Sequence, residues 1–219
     1  MKGVFSYDGP FSQFVSKLID LVLLSLLWLI FSIPLITIGA SSTALYYACR
    51  KVLTLEEGGV WVCFWGSFKQ NFWQSSIVWF FLAIFYMLFG LNAYCGYVFY
   101  ELEEIPLGLL VVIGVVAFLV IGWTCWIFPY ISQFTNTIRV VLSNCLYMFM
   151  RHFGISVLLV VIFAASVALT IVFPFGLAIA PGVCAWSSSF ALESVFKKYA
   201  PEDYRTRESV IEEPEAEAE

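Results

Sequence analysis

Few side chains in this sequence could do chemistry inside a membrane, and three of them are candidates for function: Asp20, Asn92 and Glu193. An ionised carboxylate at the centre of a bilayer costs about 2.5–3.5 kcal/mol on insertion scales, so one that is kept there commonly carries protons or ions. Asp20 and Glu193 fall near the predicted inner surface. Two interpretations stay open for both, a structural ion pair or a functional carboxylate in an inner-facing vestibule. Asn92 lies nearest a span interior and is predicted to join helices by hydrogen bonding.

His152 is the only histidine, and it stands beside Arg151. This position is typical of a headgroup contact or a helix end rather than of a general base. The sequence contains no Ser-His-Asp set, zinc-ligand spacing, Walker loop or dinucleotide fingerprint. We therefore predict a protein that is not an enzyme and that has no catalytic, cofactor-binding or metal-binding residues.

The six cysteines lie in or beside apolar stretches, and no two form a Cys-x-x-Cys pair. They are Cys49, Cys63, Cys95, Cys125, Cys145 and Cys184. Cysteine commonly packs as a small hydrophobic residue, and this is the interpretation we favour. A disulfide or a metal site is the alternative.

The composition is that of a membrane protein. Of 219 residues, 61% are hydrophobic and 12% are charged, whereas a soluble domain carries about 25% charged residues. The net charge of −5 is misleading, because eight of the sixteen acids lie in residues 202–219. We predict a membrane helical domain over residues 1–199 and a disordered acidic tail over residues 200–219. Nucleic-acid binding is excluded, and the lipid bilayer is the expected partner.

An all-α transmembrane bundle of about six spans is predicted from the apolar stretches. The spans cover residues 11–33, 36–53, 75–99, 107–128, 153–173 and 183–196. Two amphipathic stretches, around residues 61–72 and 142–153, are predicted to be interfacial helices. The first has an aromatic face of Trp61, Phe64, Trp65, Phe68 and Phe72, and the second a stripe of Leu142, Cys145, Leu146, Phe149 and Phe153.

The segment 31–45 organises this arrangement. Its proline, Pro34, removes a backbone donor and disfavours helix just before it. The small residues that follow, at positions 39–44, allow close helix packing in lipid. We predict a tight outer bend between the first two spans. We also expect the fourth span to end at Pro129.

Positive charges determine the predicted topology. With six spans and an inner N-terminus, all eleven Lys and Arg residues fall on one side, and the outer loop 101–104 is acidic. This predicts a multi-pass membrane protein with both termini cytoplasmic. The alternative has five spans, with residues 18–40 as one bent span and the N-terminus outside.

An internal repeat is a further hypothesis. Residues 68–75 align with residues 149–156 at an offset of 81, with two Phe and one Ser identical. The chain would then contain two similar units, each made of a helix that crosses inward, an interfacial helix and a helix that crosses outward. Such repeats are common in transporters. The alternative is that two interfacial helices resemble each other because they meet the same physical demands.

Several motifs together resemble a known family. They are the opening residues 5–10, the Pro34-x-x-Thr37-x-Gly39-Ala40-Ser41 bend with residues 44–47, and Phe68-x-x-Asn71-Phe72. They resemble the YesL-like family of bacterial membrane proteins, which carry domain of unknown function 624. The resemblance covers roughly residues 2–199 and assigns no catalytic residue. It implies an association with carbohydrate ABC importers, whose permease subunits are the implied partners.

Two functions are therefore expected from different classes. The first is a non-enzymatic accessory protein that supports carbohydrate ABC import. The second is a small-molecule transporter or channel, which the repeat and the broken helices favour. The substrate and the oligomeric state are left open by the sequence.

Overall fold

The computed structural model describes residues 10–101 and 107–199, and every regular element in these residues is helical. Seven α-helices follow in chain order: α1 Pro10–Phe31, α2 Ile38–Ala48, α3 Val60–Glu101, α4 Leu107–Gln133, α5 Ile138–Arg151, α6 Phe153–Val172 and α7 Ala180–Tyr199. Short 3-10 helices lie at Leu35–Thr37 and Pro174–Ala178, and a π-helical segment at Cys49–Thr54 continues α2. The all-α bundle is confirmed. The acidic tail at residues 200–219 lies outside the described residues.

Four of these helices are long and apolar enough to cross a membrane. The segments are Gln13–Phe31, Val60–Phe99, Val111–Gln133 and Phe153–Val172. The other two predicted spans correspond to α2, which has only 11 residues, and to α7, which is less apolar than α1, α4 and α6. The protein is thus a polytopic helical membrane protein, and the number of six spans stays a prediction.

The predicted bend after α1 is confirmed, whereas its place at the outer surface and the return of α2 as a second span stay predictions. α1 ends at Phe31, and Pro34 takes an extended conformation before the short 3-10 helix. Thr37 Oγ1 bonds to the Pro34 carbonyl oxygen at 2.6 Å, and Trp28 Nε1 donates to Ser42 Oγ at 3.1 Å. The chain therefore reverses here, and residues 18–40 do not form the single bent span of the five-span alternative.

The returning helix α2 is the most enclosed element of the bundle. Nine of its eleven residues are buried, and it contacts α1, α3, α4 and α7. Its small residues, such as Gly39, Ala40 and Ala44, allow the neighbouring helices to approach closely. α2 is therefore surrounded by protein rather than by lipid.

α3 differs from the prediction of an interfacial helix followed by a separate span. It runs without interruption for 42 residues, which at 1.5 Å per residue is about 63 Å, or twice the hydrocarbon thickness of a bilayer. No proline occurs between residues 60 and 101, so the change in polarity near Ser75 does not break the helix.

The aromatic face at the start of α3 packs against the protein. The ring of Phe31, at the end of α1, lies 5.0–6.3 Å from the rings of Trp61, Phe64, Trp65 and Phe68. The six-span prediction places Phe31 at the outer surface and this aromatic face at the inner one. The contact brings them together, so the first amphipathic stretch is a packed part of α3 rather than a separate interfacial helix.

Two later boundaries also differ from the sequence predictions. α4 does not end at Pro129 but continues to Gln133. α5 is a separate amphipathic helix, as predicted, but its buried residues are Val141, Cys145, Met148 and Phe149, whereas Leu146 is exposed. Because α5 is separate and the corresponding stretch of α3 is continuous, the two halves do not share the helix arrangement that the repeat predicted.

The close packing of α2 on α3 gives the first testable prediction. A Cβ added at Gly39 would lie 2.4 Å from the Ser75 carbonyl oxygen and 2.6 Å from Trp79 Cβ, neither of which can rotate away. We expect Gly39→Ala to lower the free energy of unfolding by about 1–3 kcal/mol. The measurement is thermal unfolding in detergent, followed by size-exclusion chromatography.

Gly90→Ala in α3 is the matched control, because nothing lies within 4 Å of a Cβ built there. We expect this variant to unfold at the wild-type midpoint or slightly above it, since alanine favours helix. Equal midpoints for Gly39→Ala and Gly90→Ala would contradict the packing described here.

Candidate functional site

Buried hydroxyl groups lie where α2 faces α3. Thr43 Oγ1 and Ser75 Oγ are 2.9 Å apart, and both side chains are fully buried. Thr43 gives its single hydroxyl hydrogen to the Gly39 carbonyl oxygen at 3.0 Å, so Ser75 is the donor in the bond between the two hydroxyls. This pair joins the two helices by a directed polar contact.

Asn71 lies one turn before Ser75 on the same face of α3. Its side chain is only 1% exposed, and Nδ2 donates to the Ser67 carbonyl oxygen at 2.9 Å and to Ser67 Oγ at 3.2 Å. Its Oδ1 has no hydrogen-bond partner among the described residues. A buried acceptor left unpaired costs about 1–3 kcal/mol, so this oxygen is the strongest internal candidate for accepting a hydrogen bond from water or a small polar ligand.

A second polar region joins α2, α4 and α7. Tyr46 is buried, and within the described ranges its hydroxyl has no hydrogen-bond partner. The charges of Arg50 and Glu193 both act on Tyr46. Arg50 Nη1 donates to Gln133 Oε1 at 3.0 Å, which connects α2 to the end of α4. Charged and polar groups from the π-helical segment, α4 and α7 therefore lie near the end of α2.

The three residues predicted from the sequence lie on three different helices. Asp20 is half-buried on α1 and, in the described part of the chain, has no hydrogen-bond or ion-pair partner. Asn92 is exposed on α3 and donates to the Leu88 carbonyl oxygen of its own helix at 2.8 Å. Glu193 on α7 pairs with Lys197 at 3.0 Å. No described hydrogen bond or ion pair connects any two of the three, and their functional roles stay predictions.

Lys17, which shares a face with Asp20, forms an ion pair with Glu56 in the loop before α3 instead. Glu193 therefore forms a structural ion pair with Lys197. Asp20 forms no ion pair with another described residue. Of the candidates predicted from the sequence, Asp20 is therefore the one whose carboxylate oxygens accept no hydrogen bond from the described residues.

Neither Asn71 nor Tyr46 is among the functional candidates predicted from the sequence. The available signal was the spacing of Ser67, Asn71 and Ser75, which puts three polar side chains on one face of a helix. That stripe alone does not show whether the face is buried. Its burial follows only from the tertiary packing, such as the contact of Ser75 with Thr43 of α2.

The site has no catalytic constellation in the described residues. No three His, Cys, Asp or Glu side chains meet in an arrangement that could hold a metal ion there. All six cysteines are free, with Cys49, Cys63 and Cys145 buried. The arrangement offers hydroxyl and amide groups, which can bind by hydrogen bonding but do not form a nucleophile with an adjacent base.

The fold and these buried contacts define a polytopic helical membrane protein, and one family comparison agrees. Residues 21–93 match the family described as "Protein of unknown function, DUF624". The match covers 73 of the 219 residues. This segment runs from α1 to α3 and includes the bend, all of α2 and Asn71, so the family resemblance seen in the sequence is confirmed over these residues. Comparisons with curated proteins and with solved structures gave no significant match.

The burial of Asn71 gives a second prediction. Asn71→Asp removes both Nδ2 bonds to Ser67 and places a carboxyl group in a buried position, so we expect it to lower the free energy of unfolding by about 3 kcal/mol. Gln70→Glu makes the same chemical change at the adjacent, exposed position. Thermal unfolding in detergent should separate the two variants, and a wild-type midpoint for Asn71→Asp would show that Asn71 is not enclosed.

His152 lies between α5 and α6, outside the apolar segments. Its Nε2 is 3.1 Å from the Tyr199 hydroxyl, and its ring packs near Trp126 and Tyr199. Partial burial lowers the pKa of His152 below its usual value of 6.5, and the positive charges of Lys198 and Arg151 lower it further. Since the unfolded chain then binds more protons near pH 6, His152 makes the fold less stable as the pH falls through 6.5 towards the native pKa.

The third prediction uses the fact that His152 is the only histidine. In uncharged detergent, an NMR titration of its imidazole should give a pKa below 6.5. Lys198→Gln should raise that pKa because it removes a nearby positive charge, whereas Lys69→Gln on α3 should not. A pKa at or above 6.5, or one that Lys198→Gln leaves unchanged, would contradict this electrostatic assignment.

Proposed function

We propose that the protein is a non-enzymatic accessory factor of a carbohydrate ABC importer in a bacterial plasma membrane, with both termini cytoplasmic. The sequence resemblance supports the association with carbohydrate import, and the sorting of Lys and Arg residues to one side in the six-span prediction supports the orientation. Lys69 is the exception, because the contact of Phe31 with Phe68 brings this part of α3 to the end of α1 that the six-span prediction places outside. Permease subunits of such an importer are the proposed partners.

The burial of α2 is the observation that carries this proposal. Transporters move a substrate past a site between helices that rock against each other. In this bundle α2 fills the space between α1, α3, α4 and α7, and Gly39 and Thr43 hold it closely against α3. A tightly packed centre suits a protein that supports a partner better than one that forms a pathway.

The start of α3 offers a surface for that partner. Trp73 is 76% exposed, and Val62 is exposed as well. Trp61 is partly exposed, although its ring also lies 6.3 Å from that of Phe31. Lys69 and Gln70 lie beside them and are exposed as well. Tryptophan is enriched among the residues that contribute most to protein–protein binding, so Trp73 is the residue we expect to contact the permease.

The fourth prediction concerns co-purification with the permease subunits in nanodiscs. We expect the wild-type protein to recover them and Trp73→Ala to reduce the recovery at least about tenfold, as for a residue at the centre of an interface. Phe81→Ala is the matched control, because Phe81 is a similarly exposed aromatic residue two turns further along α3. Repeated failure of the wild-type protein to recover any permease subunit would overturn the proposal.

A transporter or channel is the second candidate function, and Asp20 is the observation that favours it. Its carboxylate is half-buried in an apolar helix and has no partner among the described residues. Solute uptake into liposomes by the purified protein, lost in Asp20→Asn and kept in the loop variant Glu57→Gln, would establish transport. That result would replace the accessory function.

A further inference from the structure

A group of basic and aromatic side chains lies where α5 ends, α6 begins and α7 ends. We call it the basic junction: Arg151, His152 and Lys198, with Tyr147 and Tyr199. The Arg151 guanidinium lies over the ring of Tyr147, 5.7 Å from its centroid, and over the ring of Tyr199 at 6.0 Å. Arg151 Nη1 also donates to the Tyr147 hydroxyl. The two rings thus hold the guanidinium in a defined position while the side chain stays exposed.

The positive charge of the basic junction is not neutralised by the rest of the described chain. Within residues 10–101 and 107–199, no carboxylate pairs with Arg151 or Lys198. The acidic residue of α7, Glu193, already pairs with Lys197 at 3.0 Å. Lys198 and Arg151 lie close enough to His152 for both charges to act on its imidazole. Two cationic side chains, Arg151 and Lys198, therefore share one small exposed region with His152.

The surroundings of the basic junction are apolar on the side of the predicted membrane. Phe153 begins α6, which is one of the four segments apolar enough to cross a bilayer, and its side chain is exposed. Leu146 and Met150 on α5 are exposed as well. A cationic group next to exposed apolar side chains at the end of a span suits a molecule that has an anionic head and hydrocarbon chains.

We propose that the basic junction binds the headgroup of an anionic phospholipid, with Arg151 as its main contact. A guanidinium presents two parallel N–H donors that match the oxygens of a phosphate, and cations near the surface attract anionic lipids. Charge complementarity selects an anionic lipid over a zwitterionic one. The lipid's chains cover Leu146, Met150 and Phe153. This inference is independent of the proposed accessory function.

The test is native mass spectrometry of the full chain released from nanodiscs of mixed phosphatidylglycerol and phosphatidylcholine. The wild-type protein should retain phosphatidylglycerol in preference to phosphatidylcholine. Arg151→Gln should reduce the retained phosphatidylglycerol about fivefold, the change expected for the loss of one surface cation. Arg139→Gln is the matched control, since Arg139 is exposed on the same helix and lies twelve residues, or about 18 Å, away.

The outcomes separate a lipid site from general charge attraction. Arg151→Lys should restore part of the retention, because it keeps the charge but not the planar pair of donors. Equal retention by Arg151→Gln and wild type, or equal loss in Arg139→Gln and Arg151→Gln, would overturn the proposal. It would also be overturned if inorganic phosphate alone, with phosphatidylcholine nanodiscs, shifted the His152 imidazole NMR signal as much as phosphatidylglycerol does, since the site would then be one for free anions.

Discussion

The contact between α2 and α3 is the constraint on which the rest of the structure depends. Without a Cβ at Gly39 the two backbones approach closely, and the hydroxyls of Thr43 and Ser75 then meet at hydrogen-bonding distance. Between helices in lipid, packing and hydrogen bonding of this kind take the place of the hydrophobic effect. The contact contributes to the burial of α2, which α1, α4 and α7 also contact.

The sequence predicted the elements that have strong local causes. Pro34 interrupts the backbone hydrogen bonding at the bend, and the apolar stretches predicted α1, α4 and α6 closely. The continuity of α3 could not be predicted in this way, because a change from amphipathic to apolar residues looks like a boundary although nothing in it stops a helix. The aromatic face near Phe64 was recognised, but its partner Phe31 is more than thirty residues away in the chain and follows only from tertiary packing.

In the candidate site, too, the sequence predicts what depends on single positions but not what depends on tertiary packing. Charged and amide side chains are rare in apolar segments, and for this reason the sequence predicts functional roles for Asp20, Asn92 and Glu193. Each of these predictions uses only the position of the residue in its own helix. Asn71 looks in the sequence like one polar residue of an amphipathic helix. Its enclosure results from packing between helices, which spacing within a single helix does not specify. The residues that meet across helices are therefore the ones that sequence reasoning missed.

The most direct test of this account is disulfide cross-linking between α2 and α3 in a variant whose native cysteines are replaced. With Thr43→Cys and Ser75→Cys introduced together, the two sulfur atoms would occupy the positions of hydroxyls that lie 2.9 Å apart, so mild oxidation should join the helices nearly completely. A control pair at Thr43 and Tyr97 should stay reduced. If the 43–75 pair fails to cross-link in the folded protein, α2 does not lie against α3 as described, and the enclosed site and the packed centre are both contradicted.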